Sequence, residues 1–396
     1  MTKRNHIIKS KTRKIKRNIT YSSQIPPNSQ EITAIIDANA IRHNIKYLRT
    51  ISKTDVMPVI KANAYGHGII DVAKICRSIN VKYIGVATLG EALLLRNNGD
   101  KGRILAWLYS INNPELKTAI LEDIDIAIFD ESHIDKIVKL IPNNKICRVH
   151  LHIETGINRT GTPYDKTVEI AKKIVLEKKL HLVGLMSHLI ESELIHNKTT
   201  IKQLTLFREM RQKLADNNIF PEYIHIANSG ACLNYDVSDF TLARPGLAIY
   251  GLSPSGKPDK KLYPAMKLVS KIIQIKNVKK GDTISYDSTY KVKKNMNVCI
   301  IPIGYADIIP RSSSNKLYVI INNTLRKVLG RVCMDQIVVE SKNIDKDGDE
   351  VILFDNNQKI KGNKELIYTT ANESKTIVDE IAVRIGYRIN HKYIHL

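Results

Sequence analysis

Chemistry-bearing side chains recur just after short apolar runs in this chain: Lys61, Arg159, His188, Asn228 with Ser229, and Arg244. Lys61 follows Val56-Met57-Pro58-Val59-Ile60, so its ammonium is partly desolvated. Desolvation lowers the pKa and makes the amine a nucleophile for a carbonyl, which is Schiff-base chemistry. Taken alone, such a lysine equally describes a stem snorkelling at a strand end. Three glycine-bearing turns weaken that plainer reading: Tyr65-Gly66-His67-Gly68, Asn228-Ser229-Gly230 and Pro245-Gly246-Leu247. Turns of this kind offer backbone N–H groups and hydroxyls to phosphate. A phosphorylated aldehyde cofactor would engage the lysine and the turns together.

The elements that must position these groups follow from the apolar pattern. Ile32 to Ile36 reads as a strand, Asp37 as an N-cap, and Ile41, Ile45, Leu48 and Ile51 recur at helical spacing behind it. Strand candidates then follow at 56–61, 83–87, 103–108, 124–129, 146–153, 181–187, 223–227 and 240–244, with helical patterns between most of them. Eight such units predict an α/β fold, a (β/α)8 TIM-type barrel, with a doubly wound open sheet as the alternative. The chemistry-bearing residues fall at the C-terminal ends of these strands, where barrel enzymes place their active sites. After about residue 255 strand-like runs alternate with turn pairs such as Lys280-Gly281-Asp282, Asn322-Asn323 and Asp355-Asn356-Asn357. The organisation expected is therefore a basic tail over 1–30, a cofactor-binding barrel over 31–254, and a mostly β C-terminal domain over 255–396. A helix over 372–383 interrupts that second domain.

Composition narrows the classes. No run approaches the 18 apolar residues of a membrane span. The five cysteines are scattered without a CxxC pair, which fits a reducing cytoplasm. The first 17 positions hold eight basic residues and no acid, within a net charge of +22. Without an apolar signal region, that segment reads as a disordered, solvated tail rather than a nucleic-acid or membrane contact.

The segment Lys61-Ala62-Asn63-Ala64-Tyr65-Gly66-His67-Gly68 resembles the cofactor-lysine signature of the alanine racemases. Further blocks occur in the family's order: Glu154 to Arg159, Ser187-His188, His225 to Ser229, Arg244-Pro245-Gly246, Ser285-Tyr286, Ile303 to Asp307 and Gly330 to Gln336. The resemblance covers roughly residues 31 to 396. It implies pyridoxal 5'-phosphate on Lys61 and a homodimer with shared active sites, in which Tyr286 and Met334 reach the other subunit's cavity. It also implies a two-base racemisation of alanine by Lys61 and Tyr286, supplying D-alanine for peptidoglycan. Tyr286 would need a neighbour to lower its pKa, and His188 and Arg244 are the candidates. Arg244 would face the pyridine nitrogen and, unable to give up its proton, disfavour side reactions such as transamination. Tyr65, Ser229, Gly246, Leu247 and Tyr387 would hold the phosphate, with His188 and Asn228 also against the cofactor. Arg159, Met334 and Tyr305 would meet the substrate.

Two positions depart from the family pattern. His152 stands where relatives carry a lysine, often carbamylated, whose charge steadies the arginine matched by Arg159. Either neutral His152 accepts a hydrogen bond from Arg159 or a bound anion such as chloride takes that role. Asp287 follows Tyr286 where glycine is usual, and its carboxylate would oppose phenolate formation. A rival reading is a metal-dependent barrel hydrolase, since His150, His152, His188 and His225 lie on neighbouring strands. It leaves Lys61 and the phosphate turns unexplained, and no metal is expected. Another fold-type III pyridoxal-phosphate enzyme, such as a broad-specificity racemase, would differ in the pocket. Tyr305 and Met334 resemble the narrow, alanine-sized version.

Overall fold

The computed structural model describes residues 31–355 and 366–396, so the reading of the basic segment over 1–30 lies outside the described residues. The first nine strands are β1 Thr33–Asp37, β2 Asp55–Val56, β3 Tyr83–Thr88, β4 Arg103–Leu108, β5 Asp125–Ile128, β6 Cys147–His152, β7 Leu180–Met186, β8 Tyr223–His225 and β9 Leu242–Ala243. β3 to β8 form a parallel sheet in sequence order, and β2 pairs in parallel with β9. Their runs are buried almost throughout, as parallel strands covered on both faces must be.

A few backbone bonds close the ring at its two seams. Ile60 N–H donates to Gly85 O at 2.9 Å beside a Val59–Gly85 bridge, and Arg244 N–H donates to Ala227 O at 2.7 Å. β2 and β9 are short because Pro58 and Pro245, lying just beyond them, have no N–H for the ladder. The eight parallel strands β2 to β9 thus make the expected barrel, with helices between them.

β1 does not join the barrel. It lies antiparallel to β10, Met266–Lys271, and parallel to β19, Asn390–Ile394. The alternating burial of β1 suits a sheet with one covered face, and Asp37 caps the helix Ala38–Ser52 that carries the chain into the barrel, its Oδ1 accepting from Asn39 N at 2.9 Å. Between β10 and β19 lie β11 Gln274–Val278, β12 Thr283–Ile284, β13 Tyr290–Lys291, β14 Met296–Ile301, β15 Tyr318–Ile321, β16 Thr324–Leu329, β17 Ile337–Glu340 and β18 Glu350–Phe354. Nine strands make one sheet, ordered β11-β14-β17-β16-β15-β18-β10-β1-β19. Asn322 and Asn323 turn the β15–β16 hairpin with φ of 48° and 58°, the left-handed pair a two-residue turn requires. The single helix expected over 372–383 is instead two, Leu366–Glu373 and Val378–Val383, broken where Lys375 takes φ 56°. Among the described residues no helix is long and apolar enough to cross a membrane.

Candidate active site

The residue after the first barrel strand begins an unusual turn. Ala62, Asn63, Ala64 and Tyr65 all have φ between 51° and 55°, so the backbone leaving Lys61 winds left-handed. Each such residue costs about 1–2 kcal/mol in an L-chain, and the surroundings must hold it in place. Glu91 does much of that: its carboxylate accepts from Ala62 N at 2.7 Å, Ala87 N at 2.9 Å and Thr88 N at 3.0 Å. Asn63 Oδ1 accepts from Ile69 N at 2.9 Å, and Gly66 and Gly68 complete the turn at φ 81° and 90°. β19 locks it from outside, where Tyr393 Oη donates to His67 O at 2.9 Å and His391 Nε2 donates to Gly66 O at 2.7 Å. Glu91 was legible in the sequence as the fourth residue of the capping box Thr88-Leu89-Gly90-Glu91, but its hold on Ala62 was not.

Lys61 opens into a cavity of about 430 Å³, within the roughly 300–1,000 Å³ usual for cofactor sites. Burial, then the Arg159 guanidinium, pushes the Lys61 amine below its ordinary pKa, against the opposing pull of Asp379 and Glu91. Nine of the expected residues line this cavity: Lys61, Tyr65, Arg159, His188, Asn228, Ser229, Arg244, Gly246 and Leu247. Ser229 Oγ accepts from Gly246 N at 3.0 Å and Ala248 N at 3.1 Å, so hydroxyl and amides converge as a cradle. A Cβ on Gly246 would lie 2.5 Å from Tyr65 Oη, so only glycine leaves that cradle open. The lysine, the cradle and the donors around them fit a phosphorylated aldehyde cofactor.

Arg244 is buried opposite, donating through Nη1 to His225 Nδ1 at 2.8 Å and to His225 O at 2.5 Å, and through Nη2 to Ser187 O at 2.5 Å. Burial lowers its pKa to about 10, which leaves it charged at neutral pH. Burial, then Arg244 and Arg159, holds His188 well below its ordinary value, so the ring is neutral. His152 is pushed down to about 3 by burial, then by Arg244 and Arg159. Neither His152 ring nitrogen has a hydrogen-bond partner, so of the two alternatives for His152 the structure does not form the bond from Arg159. Two of the four histidines invoked for a metal are otherwise engaged: His150 Nδ1 and His225 Nε2 are hydrogen-bonded to each other at 2.8 Å. Among the described residues no group of three or more His, Cys, Asp or Glu side chains is placed to hold a metal.

Four expected site residues lie elsewhere. Tyr286, Met334, Tyr305 and Tyr387 are 66%, 52%, 40% and 64% exposed on the second domain, and none lines the cavity. From the same C-terminal stretch as Tyr387, it is Ile377 and Asp379 that reach the cavity. Burial raises the Asp379 carboxyl, and Lys61 opposes that shift. Asp379, Glu193 and Trp107 carried no recognisable motif in the sequence. Tyr286 sits in a strained loop, with Ser285, Asp287 and Ser288 at φ 64°, 58° and 49°. Asp287 Oδ2 accepts from Arg331 Nε at 3.0 Å and Arg311 Nη2 at 3.5 Å, so the carboxylate expected to oppose Tyr286 ionisation is paired with two guanidinium groups.

Comparison with known proteins adds the following. Residues 36–254 match the model of the alanine racemase N-terminal domain and residues 265–393 that of the C-terminal domain. The chain is 38% identical over 315 residues to the alanine racemase of Borreliella burgdorferi, covering 78% of this chain and 84% of that one. To the enzyme of Salinispora tropica it is 32% identical over 363 residues, or 91% and 94% of the two chains. The crystal structure of alanine racemase from Streptomyces lavendulae superposes with a TM-score of 0.87 at 31% identity, over 93% of this chain and 98% of the other. That from Clostridium difficile gives 0.85 at 30%, over 93% and 96%.

Proposed function

The chain belongs to the alanine racemase family and is an amino-acid racemase, an isomerase, and on that premise we propose that it inverts alanine with pyridoxal 5'-phosphate held on Lys61. The observation that carries this reading is the desolvated Lys61 amine sharing one cavity with the Ser229–Gly246 cradle. When bound, the cofactor condenses through its aldehyde with an amine and withdraws electron density from the α-carbon, which makes the α-proton removable.

This chain's residues do the rest. Tyr65, Ser229, Gly246 and Leu247 would hold the phosphate, with Asn228 and His188 beside them. Arg244 would meet the cofactor ring and, because a guanidinium does not part with its own proton, would supply none to the ring nitrogen. Arg159 receives the substrate carboxylate, as a bidentate donor suits. Lys61 Nζ, neutral at a lower pH than a free lysine, takes or returns a proton on one face of the α-carbon. Tyr286 serves the other face from a second copy of the chain, with Met334 and Tyr305 narrowing the pocket to alanine. A second copy would account for why these three are exposed and outside their own cavity. The chain would act in the cytoplasm, its D-alanine serving peptidoglycan.

The test is racemisation of L- and D-alanine by wild type and Tyr286→Phe with the cofactor added. Loss of turnover by about 10²–10⁴, the worth of a positioned acid–base group, is expected. Unchanged racemisation by Tyr286→Phe would remove Tyr286 from the reaction.

A further inference from the structure

Beneath the cavity a line of buried polar side chains crosses the barrel interior, and none of its members below Arg244 has a part in the reaction above. Its direction can be worked out from donor and acceptor chemistry alone. Arg244 is only a donor, so its 2.8 Å contact makes His225 Nδ1 an acceptor. The neutral ring then carries its proton on Nε2, which donates to His150 Nδ1 at 2.8 Å. His150 in turn carries its proton on Nε2, 3.2 Å from Tyr83 Oη and 3.6 Å from Asp125 Oδ2. The Tyr83 hydroxyl donates to Asp125 Oδ2 as well. The donors that link one side chain to the next from Arg244 downward therefore point toward one buried carboxylate.

Asp125 is built to remain an acceptor. Burial alone would raise its pKa, yet His150, Arg148 and Arg103 together hold it below the ordinary range. Arg148 Nε donates to Oδ1 at 2.7 Å and Arg103 Nη2 to Oδ2 at 3.1 Å. Room for the line is also built in, since a Cβ on Gly184 would lie 2.0 Å from His150 Nδ1. Without a fixed acceptor at its lower end the two imidazoles could both reverse. A proton would then stand on His225 Nδ1, facing the Arg244 Nη1 donor, and the guanidinium would have to move.

We propose that Asp125 is a positioning residue for the racemase reaction: through the tautomers of His150 and His225 it sets where the Arg244 guanidinium points. The inference rests on the reading of Arg244 as the group facing the cofactor ring, and it adds a residue two imidazoles away from the cavity.

The experiment uses the holoenzyme labelled with ¹⁵N-histidine, in which two-bond ¹H–¹⁵N spectra report the protonated nitrogen of each ring. His150 and His225 are both expected to carry the proton on Nε2. Asp125→Asn, folded by circular dichroism, is expected to alter those tautomers, shift the absorption band of bound pyridoxal phosphate, and lower kcat roughly tenfold with KM for alanine little changed. If Asp125→Asn does not accumulate, His150→Leu, which leaves the Asp125–arginine pairs in place, is read the same way. Arg148→Gln weakens the hold on the Asp125 carboxylate but leaves it an acceptor paired with Arg103, so it is expected to lower Tm and to shift the band less than Asp125→Asn does. A proton on Nδ1 of either histidine in the wild type overturns the proposal. So do unchanged tautomers in Asp125→Asn, or a band shifted equally by Arg148→Gln. Altered tautomers with an unmoved band would instead contradict the placement of Arg244 against the ring.

Discussion

At the scale of single residues, the balance of charge around Lys61 decides when the amine is usable. Burial and Arg159 lower its pKa, while Asp379 and Glu91 raise it. An amine with a lowered pKa is protonated below that value and nucleophilic above it, so activity should climb with pH earlier than a free lysine would allow. Asp379→Asn removes one of the two opposing carboxylates. The acidic limb of its kcat for alanine, which reports the substrate complex in which the Lys61 amine is free, should therefore move to lower pH, by about one unit or less for a group of this kind; a limb displaced to higher pH would contradict that sign. The lysine was legible in the sequence because an apolar strand precedes it. Asp379 was not, because a carboxylate in a C-terminal helix is ordinary until the fold brings it beside Lys61. Tyr387 of the same stretch is exposed and outside the cavity.

Elements hold these residues in conformations that local preference would not choose. Ala62, Asn63, Ala64 and Tyr65 favour right-handed backbone, yet all four are left-handed beside Lys61. Only Gly66 and Gly68 hinted at a turn. The restraint comes largely from Glu91 on the helix Leu89–Asn97, a long-range contact no local pattern encodes. Glu91→Ala strands three amides, so the protein should lose about 1–3 kcal/mol for each one left buried and unpaired. Racemisation should fall with it as Lys61 loses its fixed approach. Urea unfolding with the racemase assay checks both, and full activity with unchanged stability would show the turn to be self-supporting. The barrel strands, by contrast, were readable from apolar runs and turn residues. β1 was misplaced because its partners β10 and β19 lie at the other end of the chain, and periodicity alone does not name a partner.

The whole molecule joins a barrel that holds the cavity to a β domain whose expected site residues lie outside that cavity. Tyr286 and Met334 are exposed on the chain, an arrangement that makes chemical sense if two copies complete each other's sites. Mixing Lys61→Ala with Tyr286→Phe, each inactive alone, should restore activity when subunits exchange. In a symmetric dimer about a quarter of the sites would then hold both intact groups. Mixtures as inactive as either variant would place both bases in one chain. This level of organisation came from family resemblance, since an exposed tyrosine in a β domain carries no signal in composition or spacing.

The proposed reaction depends on Lys61 being the residue that carries the cofactor. The purified protein, supplied with pyridoxal 5'-phosphate, should bind it with a visible absorption band, and borohydride reduction should bleach the band, abolish alanine racemisation and leave a single pyridoxyl-modified peptide containing Lys61. Modification at another lysine, or racemisation that survives reduction, would contradict the account.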